Sequence, residues 1–313
     1  MDSSPLSRAT SLSSASLTDN LSPKLRDLAQ TQERLNTGRR VNRPSDDASA
    51  FQRARQLELL EQRYEQFNRT ITDARGWLDH TQENLDLVSD VFAEAYQQGV
   101  RATNSTLTES EREETAAFLE SMLENVVGLL NSKAGEEYMY SGTRTGEKPF
   151  AIDGADPAAD GANVVYYGNN DTVARQIGPD DTLNINIDGS RLLAVDQNND
   201  GTSDFTATES IQNMIDALRA NDVDAMATGI AQIEASRDHF ISLGAEIGGI
   251  VNRLDLSESQ LAESSLALSR QRSDEEEIDL AEAILDFQKA QSSLQTSLQL
   301  TGSILQNSLL NFI

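Results

Sequence analysis

Two long helical repeats of apolar residues, one towards each end of the chain, most constrain its fold. In the first, apolar residues alternate at spacings of three and four over more than six heptads, which indicates one face of a continuous helix. Its members are Leu57, Leu60, Tyr64, Phe67, Ile71, Ala74, Leu78, Thr81, Leu85, Val88, Phe92, Ala95, Gly99 and Ala102. Such a helix would reach about 70 Å, whereas a compact globule of this chain length would be about 50 Å across. The repeat therefore predicts an elongated rod rather than a bundle that only buries its own core.

The second repeat and the two chain ends carry shorter stripes of the same kind. The second repeat comprises Met226, Ile230, Ile233, Phe240, Ile247, Val251, Leu254, Leu261 and Leu268. The N-terminal stripe comprises Leu21, Leu25, Leu28, Gln32 and Leu35, and the C-terminal stripe comprises Leu294, Leu298, Thr301, Leu305, Leu309 and Phe312. We expect the two halves to pair as one antiparallel rod. The terminal stripes lack an obvious partner within the chain, so we expect neighbouring copies to cover them.

The middle of the chain has a different periodicity. Glu109–Tyr140 is predicted to be a helix that returns along the first repeat, after a break at residues 104–108. Beyond it, short β-rich runs alternate with Gly, Asn, Asp and Pro. These runs are Val164–Tyr167, Val173–Ile177, Leu183–Ile187 and Arg191–Val195. With eleven acidic and two basic residues between positions 151 and 210, this segment is predicted to be a solvent-facing β-rich tip domain.

Breaks in the pattern divide the chain into three predicted domains. Residues 1 to about 20 are rich in serine and threonine and are predicted to lack fixed structure in a monomer. Pro44 ends the first helical segment, and Asp46 and Asp47 are expected to cap the next helix or to contact a neighbouring subunit. A charged break is expected at Ser273–Glu277. The domains are a terminal helical assembly domain (1–48 and 273–313, disordered in the monomer), a helical rod domain (49–141 and 207–272) and a β-rich variable tip domain (142–206).

Composition excludes several classes of function. The net charge of −26 argues against binding to nucleic acid, because a polyanion repels phosphate. Cysteine is absent, which excludes disulfides and thiol chemistry. No apolar run is long enough to predict a membrane span, and the first 20 residues have no apolar region typical of a cleaved secretory signal. No partner among nucleic acids or membranes is therefore expected.

No constellation of catalytic residues is present, so we predict that the protein is not an enzyme. The glycines before Lys148 lack the spacing of a phosphate-binding loop, and Pro149 stands where a Ser or Thr should coordinate magnesium. The only two histidines, His80 and His239, have no nucleophile or metal partner nearby in the sequence and are interpreted as exposed structural residues.

One acidic loop has the pattern of a calcium site. Asp196, Asn198, Asp200 and Asp204 place oxygen ligands at alternate positions, with Gly201 at the sharp turn. The twelfth position, which in an EF-hand is a bidentate Glu, is an alanine. Calcium is thus the one cofactor that the sequence suggests, and an acidic hairpin turn without a metal is the alternative.

Four separated motifs together resemble one family. Leu35–Ala54 (LNTGRRVNRPSDDASAFQRA) resembles the N-terminal signature of the flagellin superfamily, and the Arg-Pro-Ser form at 43–45 is similar to that of its hook–filament junction branch, hook-associated protein 3. Glu136–Phe150 resembles the entry of that family into its variable domain, and Val164–Gly189 is similar to its β-domain. The ending at 279–313, with its Leu-Leu-Asn-Phe-Ile finish, is similar to the C-terminal helix of the family.

The resemblance implies a structural role in bacterial motility and a flagellin-like coiled coil with a small inserted β-rich tip. Members form a ring homo-oligomer between hook-associated protein 1, on the hook side, and the flagellin filament. They leave the cell with an export chaperone through the flagellar type III export apparatus, without a cleaved signal peptide. The expected assembly interface comprises Leu21, Leu25, Leu28, Leu35, Leu294, Leu298, Leu305, Leu309 and Phe312. Filament flagellin and a secreted coiled-coil effector or translocator of a related export system remain as alternatives.

Overall fold

The computed structural model describes residues 5–103, 107–153, 163–198 and 200–310, and their side chains from residue 19 to residue 303 except at positions 20, 153 and 163. The described residues form seven helices: α1 (Pro5–Thr37), α2 (Ala48–Ala102), α3 (Glu109–Leu130), α4 (Gly189–Leu193), α5 (Ala207–Ala220), α6 (Val223–Glu276) and α7 (Leu280–Leu310). The chain divides into a terminal unit (residues 1–63 and 263–313) and a central unit (residues 64–262). The prediction of a mainly α fold is confirmed.

In the terminal unit, α1 starts earlier than the sequence predicted. The helix begins at Pro5, within the stretch before residue 20 for which no fixed structure was expected. Proline suits the first turn of a helix, where its missing N–H costs nothing, and positions 6–22 contain no glycine and no further proline. A charged break does precede α7, but it lies at residues 277–279 rather than at Ser273–Glu277, because α6 continues to Glu276 and α7 begins at Leu280. Asp279 caps α7 by accepting a hydrogen bond from the backbone N–H of Ala281 at 2.8 Å.

In the central unit, α2 and α6 run antiparallel and bury the two long repeats against each other. The rings of Phe92 and Phe240 stack with centroids 5.3 Å apart. Gly99 lies against α6, where an added Cβ would stand 3.2 Å from Cγ1 of Ile230, so the small residue in this stripe permits close packing. The buried members of the first repeat in this unit are Phe67, Ile71, Ala74, Leu78, Thr81, Leu85, Val88, Phe92, Ala95, Gly99 and Ala102. The predicted repeat is confirmed as a core stripe from Phe67 to Ala102, whereas Leu60 is 38% exposed.

Helices α3 and α5 pack against each other in the same unit. Thr108 and Thr206 each begin one of these helices with a capping box, in which the threonine and the glutamate three residues later satisfy each other's backbone N–H groups. Helix α3 ends at Leu130, so the prediction of a helix up to Tyr140 is wrong. Asn131 closes the helix, and the chain then turns through Gly135, whose φ of +65° favours glycine.

The strands form four separate two-stranded antiparallel ladders within the described residues. They pair β1 (Lys133–Ala134) with β2 (Glu137–Tyr138), β3 (Phe150–Asp153) with β4 (Asn163–Tyr166), β5 (Ala174–Gln176) with β6 (Thr182–Asn184), and β7 (Ala194–Val195) with β8 (Phe205–Thr206). The strand predicted at Arg191–Val195 is mostly wrong, because residues 189–193 form the short helix α4. Asp188 starts that helix by accepting a hydrogen bond from the backbone N–H of Arg191 at 2.8 Å.

The β-rich segment belongs to the core of the central unit rather than forming a compact unit of its own. The Phe150 and Tyr166 rings lie 5.2 Å apart across the β3–β4 ladder. Gly189 lies directly against them, and an added Cβ would come within 2.2 Å of Tyr166 and 2.8 Å of Phe150. The fully buried Tyr140 donates its hydroxyl hydrogen to Oδ1 of Asn84 at 2.8 Å, which satisfies its only polar group inside the core.

Candidate assembly interface

The apolar residues predicted to mediate assembly lie on α1 and α7, which pack on each other. Leu21, Leu28, Leu35 and Leu294 are half-buried, whereas Leu25 and Leu298 are each 53% exposed. Leu305 and Leu309 belong to α7, but their side chains lie outside the described residues, as does the whole of Phe312. The expectation that the terminal stripes have no partner within the chain is therefore wrong for α1 and α7, whereas disorder in the free monomer stays a prediction.

The contact between α1 and α7 leaves much apolar surface uncovered. Among the side chains that the structure describes in these two helices, none is fully buried. A two-helix contact of this kind buries one edge of each stripe and leaves the rest to solvent, which is typical of helices that complete their packing with other chains.

Three exposed residues of α7 form an apolar row that the sequence pattern revealed only in part. Leu280 is 61% exposed, Ile284 is 48% exposed, and both lie within about 40° of Leu298 around the helix at 100° per residue. The predicted stripe began only at Leu294. Its continuation was visible in the spacing of four between positions 280 and 284, but the acidic residues around them made that turn of the helix look like part of the charged break.

The C-terminal end of α1 and the N-terminal end of α7 are joined by a compact junction, formed by residues 38–47 and 272–279. Gly38 ends α1 with a φ of +69°, and its N–H donates to the carbonyl of Arg34 at 2.9 Å. Arg39 then pairs with Glu277 in an isolated antiparallel bridge. The N–H of Ile278 donates to the carbonyl of Gly38 at 3.1 Å on one side of that bridge. The chain segments that enter and leave the terminal helices are thus hydrogen-bonded to each other.

Ion pairs reinforce the junction from the adjoining ends of α2 and α6. Arg53 forms a two-bonded pair with Glu275, with both N···O distances at 2.8 Å. Arg272 pairs with Glu61 at 3.0 Å. The pKa of Glu275 lies below its usual range because the Arg53 guanidinium donates hydrogen bonds to its carboxylate. The basic residues of the N-terminal signature therefore face the acidic run at the C-terminal end of α6.

The two aspartates of the signature act as predicted in one case and differently in the other. Asp47 caps α2 by accepting hydrogen bonds from the N–H groups of Ala50 and Ser49, and these bonds lower the pKa of its carboxyl group to about 2. Asp46 instead closes the preceding loop by accepting hydrogen bonds from the N–H groups of Asn42 and Arg43 at 3.1 and 3.0 Å. The prediction of a helix cap is confirmed for Asp47, and contact with a neighbouring subunit stays a prediction.

The acidic loop is organised by its own hydrogen bonds. Asp196 accepts from the N–H of Gly201 at 2.8 Å, and Asp204 accepts from the N–H of Gln197 at 2.8 Å. The pKa of Asp200 is lowered by hydrogen bonds from Thr202, so its ionised form is favoured. Among the described residues, no three histidine or acidic side chains converge as a metal ion would require. Calcium binding through Asp196, Asn198, Asp200 and Asp204 stays a prediction.

The two histidines differ in their surroundings. His80 is exposed, as expected, and lies 3.9 Å from Glu83. His239 is half-buried, and its Nε2 lies 3.0 Å from the carbonyl oxygen of Arg191, so the expectation of an exposed residue is wrong here. Burial lowers the pKa of His239 and favours its neutral form. None of the helices in the described part of the chain combines the length and apolar character that a bilayer crossing requires.

Comparison with known protein families identifies the superfamily to which this chain is related. Residues 9–145 match the bacterial flagellin N-terminal helical region, and residues 230–313 match the bacterial flagellin C-terminal helical region. The two matches flank the β-rich segment and together cover more than half of the chain. The chain belongs to the flagellin superfamily. In this flagellin-superfamily protein, the matched regions contain all of α7, nearly all of α1 and both sides of the junction.

Individual relatives within the superfamily differ in how much of the chain they match. Flagellar hook-associated protein 3 of Escherichia coli strain K12 is 23% identical over 285 residues, which cover 85% of this chain and 86% of that protein. The flagellar filament 41 kDa core protein of Borreliella burgdorferi is 24% identical over 136 residues, which cover 40% of each chain. The crystal structure of flagellar hook-associated protein 3 from Legionella pneumophila has a similar fold, with a TM-score of 0.62, 12% identity, and coverage of 70% of this chain and 98% of that one.

Proposed function

We propose that this protein is a structural component of the bacterial flagellum that forms the junction ring between the hook-side junction protein and the flagellin filament. The observation that carries the proposal is the extent of its similarity to hook-associated protein 3. That similarity runs along 85% of this chain and includes the β-rich segment, whereas the similarity to a filament protein covers 40%. A structural role also agrees with the long helices and the absence of a catalytic constellation in the sequence.

The physical basis of assembly is the apolar surface that α1 and α7 leave exposed. Burial of one leucine or isoleucine side chain contributes about 1.5–3 kcal/mol, so a row such as Leu280, Ile284 and Leu298 stabilises a contact between copies substantially. The last 24 residues of the sequence contain no charged side chain. In a chain with a net charge of −26, an uncharged end is the part that can approach another copy without like-charge repulsion.

The partners follow from this role. We propose that copies of the chain contact each other through the terminal helices, with hook-associated protein 1 on one side of the ring and flagellin on the other. An export chaperone would cover the exposed apolar row before the chain enters the flagellar type III export apparatus, and no signal peptide would be cleaved. Burial of the apolar row on assembly would offset the conformational entropy that is lost when the ends become fully ordered.

Immunogold electron microscopy of intact flagella tests the proposal. An antibody against this protein should label a single short zone at the boundary between hook and filament. A strain that lacks the gene should have hooks without filaments, and complementation should restore both the filament and the labelled zone. Label along the whole filament would instead identify a filament flagellin. Label absent from flagella but present in the medium would identify a secreted effector or translocator, and either result would overturn the proposal.

A further inference from the structure

Fully buried side chains in the terminal unit are concentrated at the junction. Among the described side chains of the terminal unit, the fully buried ones are Val41, Ala50, Ala54 and Glu276, and all four lie in the junction or in the adjoining turns of α2 and α6. The half-buried side chains of α1 and α7 include Phe287 and charged residues such as Arg34 and Asp286, but most are small or aliphatic residues of recurring type: leucine, alanine, serine and threonine. Because these residues recur along both helices, sliding one helix by a turn would preserve much of the same contact. Side-chain packing therefore specifies the register of the pair only weakly.

Among the described side chains of the terminal unit, the one buried charged residue is Glu276, which lies where the two connections meet. The side chain of Glu276 is 9% exposed, and its Oε2 lies 3.2 Å from Nε of Arg39 and 3.5 Å from a terminal nitrogen of Arg272. Its backbone carbonyl also accepts a hydrogen bond from the N–H of Arg40. Glu276 thus bonds through both its side chain and its backbone to the segment that follows α1, while Arg272 ties it to α6.

A buried carboxylate that pairs with two arginines makes one alignment of α1 with α7 much more favourable than its alternatives. In the observed register its charge is compensated on both sides. A shift of α1 by one turn would carry Arg39 about 5 Å away, since one helical turn rises that much, and would leave the buried charge with Arg272 alone. Loss of a partner from a buried charge is far more costly than loss of a surface pair, and buried polar groups are known to fix helix register for this reason.

We propose that Glu276, held between Arg39 and Arg272, sets the register between α1 and α7. Glu276 is a positioning residue, because it acts on the alignment of helices whose other residues make the contacts. Correct register fixes the height of the exposed row Leu280, Ile284 and Leu298 relative to α1. This consequence for contacts between copies rests on the proposed function, whereas the alignment itself is a property of the single chain.

The absence of cysteine from the sequence permits a direct test by double electron–electron resonance. Spin labels at Asn36→Cys and Gln288→Cys, both exposed positions, report the distance between α1 and α7 close to the junction. The full-length protein should give one narrow distance distribution. Glu276→Gln, which keeps the shape and removes the charge, should at least double the width of the distribution or add a second population displaced by about 5 Å, one helical turn.

A matched control and a second variant keep the test decisive. Glu277→Gln makes the same chemical change at the next residue, whose side chain is exposed, and should leave the distribution unchanged. Arg39→Gln removes the other end of the pair and should reproduce the effect of Glu276→Gln. Narrow and unshifted distributions in both Glu276→Gln and Arg39→Gln would overturn the proposal, as would an unmutated protein as broad as its variants or an equal effect of Glu277→Gln.

Two further measurements separate this inference from the proposed function. Circular dichroism of each variant shows whether the helices are retained, so loss of α1 or α7 is distinguished from misalignment. Immunogold labelling of cells that carry the unmutated gene tests the junction role independently of any distance. Label away from the hook–filament boundary would refute the proposed function and leave the assignment of Glu276 intact.

Discussion

A charge placed on the exposed row of α7 should abolish assembly without unfolding the monomer. Leu298 is 53% exposed, so completing its burial between copies would contribute about half of the value for a whole leucine, or about 1 kcal/mol. An aspartate at the same place would lose that contribution and add an uncompensated carboxylate at a cost on the order of 3 kcal/mol. At 1.4 kcal/mol per tenfold, Leu298→Asp should weaken each contact on the order of a thousandfold.

Motility in soft agar and electron microscopy of the cells measure this effect. The Leu298→Asp strain should have hooks without stable filaments, and the purified variant should keep the thermal transition of the central unit. Gln299→Asp is the matched control, because it adds the same charge to the next exposed residue, about 100° further round the helix. Leu305→Asp, on the same predicted stripe, should behave like Leu298→Asp. Normal filaments in the Leu298→Asp strain, or equal defects in both variants at 298 and 299, would refute the packing role of this row.

Three further predictions concern other parts of the molecule. Limited proteolysis of dilute monomer should cut within residues 1–40 and 275–313 before the central unit, because none of the described side chains of α1 and α7 is fully buried; ends that survive as long as the central unit would contradict this. Millimolar calcium should raise the melting temperature of the full chain if the acidic loop binds the ion, with a dissociation constant on the order of 10⁻⁴ M or weaker, and Asp200→Ala should remove the response. An equal response in both proteins would indicate only screening of charge. Gly189→Ala should lower the free energy of unfolding by about 1–3 kcal/mol through overpacking, whereas Gly249→Ala, with open space around it, should be neutral or stabilising when both are measured by urea denaturation.

The long helices were predictable because their signals are local and repeated. Phe67, Leu78 and Phe92 share one face at spacings that only a helix satisfies, and each is buried in the structure. The existence of a break before α7 was also predictable, since charged side chains interrupt the stripes there, although the break lies at residues 277–279 rather than 273–277. At the start of α2, the residue type predicted an aspartate cap but did not distinguish Asp47, which forms the cap, from Asp46, which closes the preceding loop.

Other features could not be predicted from the spacing of apolar residues, because they depend on particular contacts in the folded chain. The strand predicted at Arg191–Val195 has suitable residues, but the hydrogen bonds of Asp188 favour a turn of helix there. Glu276 is one of several acidic residues in a row, and its burial arises only because Arg39, more than two hundred positions away in the sequence, meets it in the fold. The leucines predicted for the candidate interface from Leu21 to Leu309 lie on helices, as their spacing indicated, whereas the pairing of α1 with α7 required the structure.

The β3–β4 ladder offers a place to graft foreign sequence. Its strands pair from Phe150 with Tyr166 to Asp153 with Asn163, and the two aromatic rings hold the base of the hairpin. The strand ends lie roughly 5 Å apart, a gap that many peptides and small domains with adjacent termini can bridge. Because each doubling of loop length costs only about 0.6 kcal/mol in closure entropy, an affinity tag or a fluorescent reporter inserted between Asp153 and Asn163 should leave the helical core folded. Such a carrier would let a single subunit be followed by light microscopy in a living, swimming cell.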